Sequence, residues 1–239
     1  RSKFLIPIFL CLESQILNLN MIQRSTLSFL KDLKKNNNKP WFDKNRPRYE
    51  EAKKNFEDLV TSLLTRLTAI DKRYAPLTAK NCVFRIYRDV RFSPDKTPYK
   101  SHFGAGISPN GKKVNEPGYY LHIEAGKTFL AGGIWMPEPD LLKKIRQEID
   151  YNGKKFKKIL ADSKFKKYYG TLDDEYKLSR PPKGYDKNHP DIELLKFNSY
   201  IVWHQYNDKD AASASFVKEL DKGSRVMKPF LDFLGEAIS

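Results

Sequence analysis

"HFGAGISPNGKKVNEPGYYLHIEAGKTFLAGGIWM" (residues 102–136) decides how this chain folds. It separates into "HFGAGIS" (102–108), "GYYLHIEA" (118–125) and "TFLAGGIWM" (128–136), each rich in aromatic and branched side chains. Such short runs, divided by turn chemistry, read as β-strands. "SPNGKK" (108–113) is a turn, and Asn110-Gly111 within it is a strong hairpin signal. Upstream, "CVFRIYR" (82–88) reads as a further strand, followed by the turn "SPDK" (93–96). Four closely spaced strands with short connections predict an antiparallel meander.

Helical periodicity flanks this run on both sides. Ser25 is predicted to cap a helix over 26–35, with Leu27, Leu30 and Leu33 as its apolar stripe. Asn36 to Asn38 suit a turn, and Pro40 opens the next helix. A long helix carries Tyr49, Ala52, Phe56, Leu59, Val60, Leu63, Leu67 and Ile70 at three- and four-residue spacing. Pro47 either kinks that helix or marks its start. After the strands, "PEPDLLKKIRQEI" (137–149) opens another helix, and a helical piece follows around 156–160. A strand is expected over 198–205. The closing helix carries Phe216, Leu220, Met227, Phe230, Leu231, Leu234 and Ile238 on one face. Helices grouped around an antiparallel strand run predict an α+β fold rather than a doubly wound parallel one. The expected organisation is one α+β domain over residues 21–239.

The first twenty residues read differently. Arg1 and Lys3 precede a largely apolar run that resembles a short signal peptide, yet Pro7 interrupts it and no small-residue cleavage site follows. Residues 1–20 are therefore expected to be an extension outside the domain or a misassigned start, with Met21 as the natural initiator.

The 239 residues hold 44 Lys and Arg against 29 Asp and Glu, a net charge of +15. That balance favours polyanionic partners, either a phosphate-bearing small molecule or nucleic acid, or else marks a generically basic surface. From 140 to 170 the cations are mostly Lys, the ordinary residue of a solvated helix face. Two cysteines without a pairing pattern argue against a disulfide framework and fit a reducing cytoplasm. No apolar run approaches the roughly 20 residues of a membrane helix, so no membrane partner is expected.

The densest chemistry lies in "FRIYRDVRFSPDKTPYKSHFG" (84–104). On a straight strand Arg85 and Arg88 fall on opposite faces. They converge with Arg91, Lys96 and Lys100 only if the chain turns after Asp89, and Pro94 and Pro98 make that turn credible. Convergent guanidinium forks suit phosphate or carboxylate, and Tyr99, Phe92 and Phe103 offer stacking faces. The predicted ligand-binding set is Arg85, Arg88, Arg91, Lys96, Tyr99 and Lys100. The opposing reading is a brace, in which Asp89 and Asp95 pair with the arginines and Phe92 joins the core.

His122 and Glu124 share one face of "GYYLHIEA", and His102 opens a neighbouring strand. With Asp89 they are the catalytic candidates, as acid, base or ligand, of a hydrolase acting on an anionic substrate. The H-x-E spacing is unspecific, so no metal is expected, and no nucleophile elbow, Walker loop or dinucleotide fingerprint calls for a cofactor. His204 and a buried Cys82 read as structural. Trp41, Trp135 and Trp203 read as core or pocket wall.

"FRIYRDVRFSPDKTPYKSHFGA" (84–105), "GYYLHIE" (118–124), "GGIWMPEPDLLKKIRQEI" (132–149), "RPPKGYDKNHPDIELLK" (180–196) and "FLKDLKKNNNKPWFDKNRPRYEEA" (29–52) together resemble a family of uncharacterised proteins. It is widespread in bacteria, also found in fungi, and catalogued as a domain of unknown function. The resemblance covers Met21 to Ser239. It implies a stand-alone cytoplasmic domain and brings no activity or catalytic residue set. Binding of an anionic ligand, hydrolysis of one, and a structural or protein-interaction role all stay open.

Overall fold

The computed structural model describes residues 20–112 and 115–239. Apart from Asn20, the expected N-terminal extension lies outside the described residues. In chain order the helices are α1 (Arg24–Lys35), α2 (Lys39–Lys44), α3 (Arg46–Ile70) and α4 (Ala79–Cys82), then, after three strands, α5 (Pro139–Ala161), α6 (Ser163–Tyr169) and α7 (Ile192–Leu195). One more strand leads to α8 (Asp208–Ala211) and α9 (Phe216–Ile238). The strands are β1 (Phe103–Ile107), β2 (Gly118–Ile123), β3 (Thr128–Ile134) and β4 (Tyr200–Tyr206), forming one antiparallel sheet in the order β1-β2-β3-β4. The α+β class and the meander read from sequence are both present. Among the described residues, no helix is long and apolar enough to cross a membrane.

Contacts gather the described residues into two compact units. The first takes residues 20–106, 121–129 and 205–222. Its helical part is built on α1 and α3. Leu27, Phe29, Leu30 and Leu33 of α1 are buried, as are Phe56, Leu59, Val60, Leu63 and Leu67 of α3. Ser25 does not cap α1, contrary to the reading of its sequence. The N-cap is Gln23, whose side chain makes no capping bond. Buried Asn55 on α3 does that work instead. Its Oδ1 accepts from the Gln23 backbone N–H and from Thr26 Oγ1, both at 2.9 Å, and its Nδ2 donates to the Met21 carbonyl at 3.0 Å. A helix start is an array of orphan donors, and a tertiary side chain satisfies them as well as a local one does.

Pro47 lies in the first turn of α3 and marks its start. Asn38 caps α2 by accepting from the Trp41 N–H at 3.0 Å. This delivers Phe42 into an aromatic cluster, where it stacks on Tyr99 with ring centroids 4.0 Å apart.

"CVFRIYR" does not form a regular strand. Cys82 ends α4, and residues 83–88 run antiparallel to 98–105 through isolated bridges, Val83 with Ala105 and Tyr87 with Tyr99. The four-residue step from Val83 to Tyr87 faces a six-residue step from Tyr99 to Ala105. Two residues of the second arm are therefore extra, and Ser101 and His102 lie in the resulting bulge. A bulge breaks the ladder, so alternating hydrophobicity overstated the strand.

The second unit takes residues 107–112, 115–120, 130–204 and 223–239. Phe156 is fully buried, its centroid 4.6 Å from Phe233 and 5.9 Å from Phe230. The two helical pieces expected over 137–160 form one run, α5, kinked at Asn152. The next residue is Gly153, where a Cβ would stand 2.2 Å from Asp191 Oδ2, so any other residue would displace that carboxylate. Gly133 combines φ +127° with a similar approach, 1.9 Å from its ideal Cβ to the Tyr200 carbonyl oxygen. The nine lysines between 140 and 170 are all exposed, as a solvated face requires. Arg146 instead turns inward to the carbonyls of Leu195 (2.8 Å) and Phe197 (3.1 Å).

None of the three tryptophans is a core residue. Trp135 is 54% and Trp203 45% exposed, and Trp41 is half-buried. Trp203 keeps its indole N–H on Asp173 at 3.0 Å. His204 is structural as expected, paired through Nδ1 with the Tyr168 carbonyl at 2.8 Å.

Candidate functional site

The turn after Asp89 is drawn together by its own side chains. Arg88 donates through Nη1 to Asp95 and Thr97, and through Nη2 to Ser93 at 3.3 Å. Arg91 pairs with Asp89 at 2.7 and 3.0 Å. Lys96 donates to the Val90 carbonyl at 3.0 Å. Asp95 also accepts from the Thr97 backbone N–H at 2.9 Å. That bond, reinforced by Arg88, holds its carboxyl down at about 2. Arg91 likewise lowers Asp89.

Three members of the expected ligand set, Arg88, Arg91 and Lys96, are thus tied to groups of the same turn. Tyr99 is buried against Phe42, so its ring offers no stacking face. Arg85 is exposed, and Lys100 lies 5.5 Å over the Phe84 ring. Phe92 is 94% exposed rather than core, with the Arg91 guanidinium 5.8 Å from its centroid. Exposed ion pairs of this kind contribute little to global stability, so they shape the turn more than they hold the fold.

A second cluster forms at the bulge. The bulge carries Ser101 and His102. β2 carries His122, and Glu124 follows one residue beyond the strand end. The His102 and His122 rings stack with centroids 4.2 Å apart, and His122 also stacks on Phe129 at 4.6 Å. His122 Nε2 stands 3.3 Å from Glu124 Oε2. The other carboxylate oxygen accepts from Lys34 Nζ of α1 at 2.9 Å and from Ser101 Oγ at 3.3 Å. Ligand atoms of His102, His122 and Glu124 all lie within 4.8 Å of one another. Asp89, the fourth catalytic candidate, stays at the turn on Arg91.

Burial sets the protonation of this cluster. It pushes His102 down to about 4, with help from neighbouring His122 and from Lys100 and Lys127, against the pull of Glu124. Burial also lowers His122, although Glu124 opposes it. For Glu124, burial raises the carboxyl, but the bonds from Lys34 and His122 outweigh it and the net shift is downward. At neutral pH the centre is therefore two uncharged imidazoles beside a carboxylate. Uncharged imidazole offers one lone pair and one N–H, which suits ligation or hydrogen bonding to an anion.

Sequence reasoning paired His122 with Glu124 and brought in His102. It missed Lys34 and Ser101. Lys34 sits 90 residues before Glu124 on a helix full of lysines, and nothing local sets it apart.

Residues 25–233 match the model of a family described as "Conserved hypothetical protein (DUF2461)". The chain belongs to this family. The match spans the braced turn, the bulge, Lys34 and Glu124, so both clusters lie within the family region. No curated protein matches the chain, and no solved structure matches it.

Proposed function

We propose that the protein binds a phosphate-bearing or otherwise anionic ligand at the centre beside the Ser101–His102 bulge. The observation that carries this reading is the local charge. Lys34 touches Glu124 at 2.9 Å, and Lys100 and Lys127 both act on His102. One cation sits on the carboxylate, and two more lie close enough to act on the imidazole of His102. An incoming anion meets excess positive charge, N–H donors and the Ser101 hydroxyl in one place. Lys34, with a side chain 66% exposed, is able to reach an incoming group.

The test is a thermal-shift panel of inorganic phosphate, nucleotides, sugar phosphates and short oligonucleotides. Specific ligands raise Tm by mass action. The expected outcome is stabilisation that shrinks with added salt and disappears in a Lys34→Ala, Lys127→Ala double variant. Equal stabilisation of that variant, or none of the wild type by any anion, overturns the reading.

Hydrolysis of such a ligand at the same centre is the second reading. The His122–Glu124 pair favours it, because a carboxylate on one ring nitrogen fixes the tautomer that the other presents. Release of phosphate from a substrate panel, lost in Glu124→Gln, would distinguish turnover from binding.

A further inference from the structure

We infer that His102, His122 and Glu124 form a binding site for a divalent first-row transition metal ion. The three offer ligand atoms within 4.8 Å of one another. A tetrahedral ion with bonds of about 2.1 Å sets its ligands roughly 3.4 Å apart. His122 Nε2 and Glu124 Oε2 already stand at 3.3 Å. The remaining separations, within 4.8 Å, exceed that spacing by at most about 1.4 Å.

The donor types select the class of ion. Two imidazoles and one carboxylate suit zinc, cobalt, manganese or iron, whereas calcium and magnesium take shells of oxygen. Three protein ligands also leave a coordination position for water or an exogenous group.

The surroundings are those of a supported site. The bulge takes His102 out of the ladder and brings it to the His122 ring. Among the described residues the His102 ring makes no hydrogen bond, so its position rests on stacking while its nitrogens stay available. His122 is oriented by Phe129 and His102, and Glu124 by Ser101 at 3.3 Å. Outer contacts of this kind preset ligand orientation.

Lys34 Nζ donates to Glu124 Oε1 at 2.9 Å. Its ammonium is a competitor, neutralising the carboxylate that the ion needs. Because the side chain is largely exposed, it leaves at little cost. Metal entry exchanges one cation for another at Glu124 and frees Lys34 to meet an anion on the ion. The metal site concerns the same centre as the anion reading, but its argument stands on ligand geometry and needs no anion.

The experiment is titration of Co²⁺ into the metal-stripped full-length chain, read by visible absorption and by calorimetry. One saturable ion per chain is expected, displaced by Zn²⁺. Glu124→Gln and His102→Phe, which keep shape and stacking, are each expected to weaken binding by about tenfold or more with an unchanged circular dichroism spectrum. Lys34→Met is expected to tighten it severalfold. No saturable binding by the wild type, or the same affinity in both ligand variants, overturns the site. The titration contains no phosphate, so its failure removes the metal site alone. Failure of every anion to stabilise a chain that binds Co²⁺ removes the anion reading alone.

Discussion

The ring of His102 lies on the ring of His122, with centroids 4.2 Å apart and planes 29° from parallel. One ring comes from an irregular bulge and the other from a regular strand, so the contact ties the bulge to the sheet. His102→Phe keeps a flat ring there and loses the nitrogens. Its stability is expected to stay within about 1 kcal/mol of wild type, the scale of one aromatic pair. Chemical denaturation checks this, and a large loss would show that the imidazole itself holds the bulge.

Asn55 replaces a helix cap from a distance. Asn55→Ala strands the Gln23 N–H and Thr26 hydroxyl in a buried setting, and is expected to cost about 2–3 kcal/mol. Urea unfolding measures it. Thr26→Val in the Asn55→Ala background should recover part of the loss, since the orphaned hydroxyl is then gone.

Gly133→Ala is expected to be severely destabilising, by more than about 3 kcal/mol. The backbone sits at φ +127°, and the new methyl would meet the Tyr200 carbonyl oxygen at 1.9 Å. Soluble yield and Tm report the outcome. A Tm near wild type would mean that β3 and β4 separate without penalty.

Phe156→Ala removes a fully buried ring in contact with Phe230, Phe233 and Tyr200. The cavity and lost transfer energy should cost about 3–5 kcal/mol. Phe156→Leu should recover much of it.

Asp95 supplies a pH dependence for the braced turn. Its carboxyl is depressed to about 2 from an ordinary value near 3.8, so the folded turn prefers the ionised form. The brace is then fully present above about pH 4 and is lost as pH falls through about 2. Carbon-13 titration of the Asp95 carboxyl checks the midpoint. Asp95→Asn should speed amide exchange at Thr97 at neutral pH while leaving Tm nearly unchanged, because the pair is exposed. A midpoint near 4 would mean that Arg88 and Thr97 do not hold Asp95 in solution.

Amphipathic spacing in Leu27, Leu30 and Leu33, and again from Tyr49 to Leu67, was enough to place α1 and α3, because burial of one helical face is written locally. The same holds for the glycine- and aromatic-rich runs that became β1, β2 and β3. "CVFRIYR" misled because alternation records which side a residue faces and is blind to whether the opposite arm carries extra residues. Phe92, Trp135 and Trp203 misled because hydrophobic type gives a preference for burial and no guarantee of it.

The sequence by itself determined the α+β class, the order of the main helices and of β1 to β4, and the closeness of His122 to Glu124, since residues two apart in extended chain share a face. Tertiary structure decided the rest of the candidate centre. The bulge turns His102 onto His122, and α1, held by Asn55, carries Lys34 to a carboxylate 90 residues away. Those relationships depend on how separate segments meet in space. No local period encodes that, because a side chain's partner across 90 residues is fixed only when the intervening chain has packed.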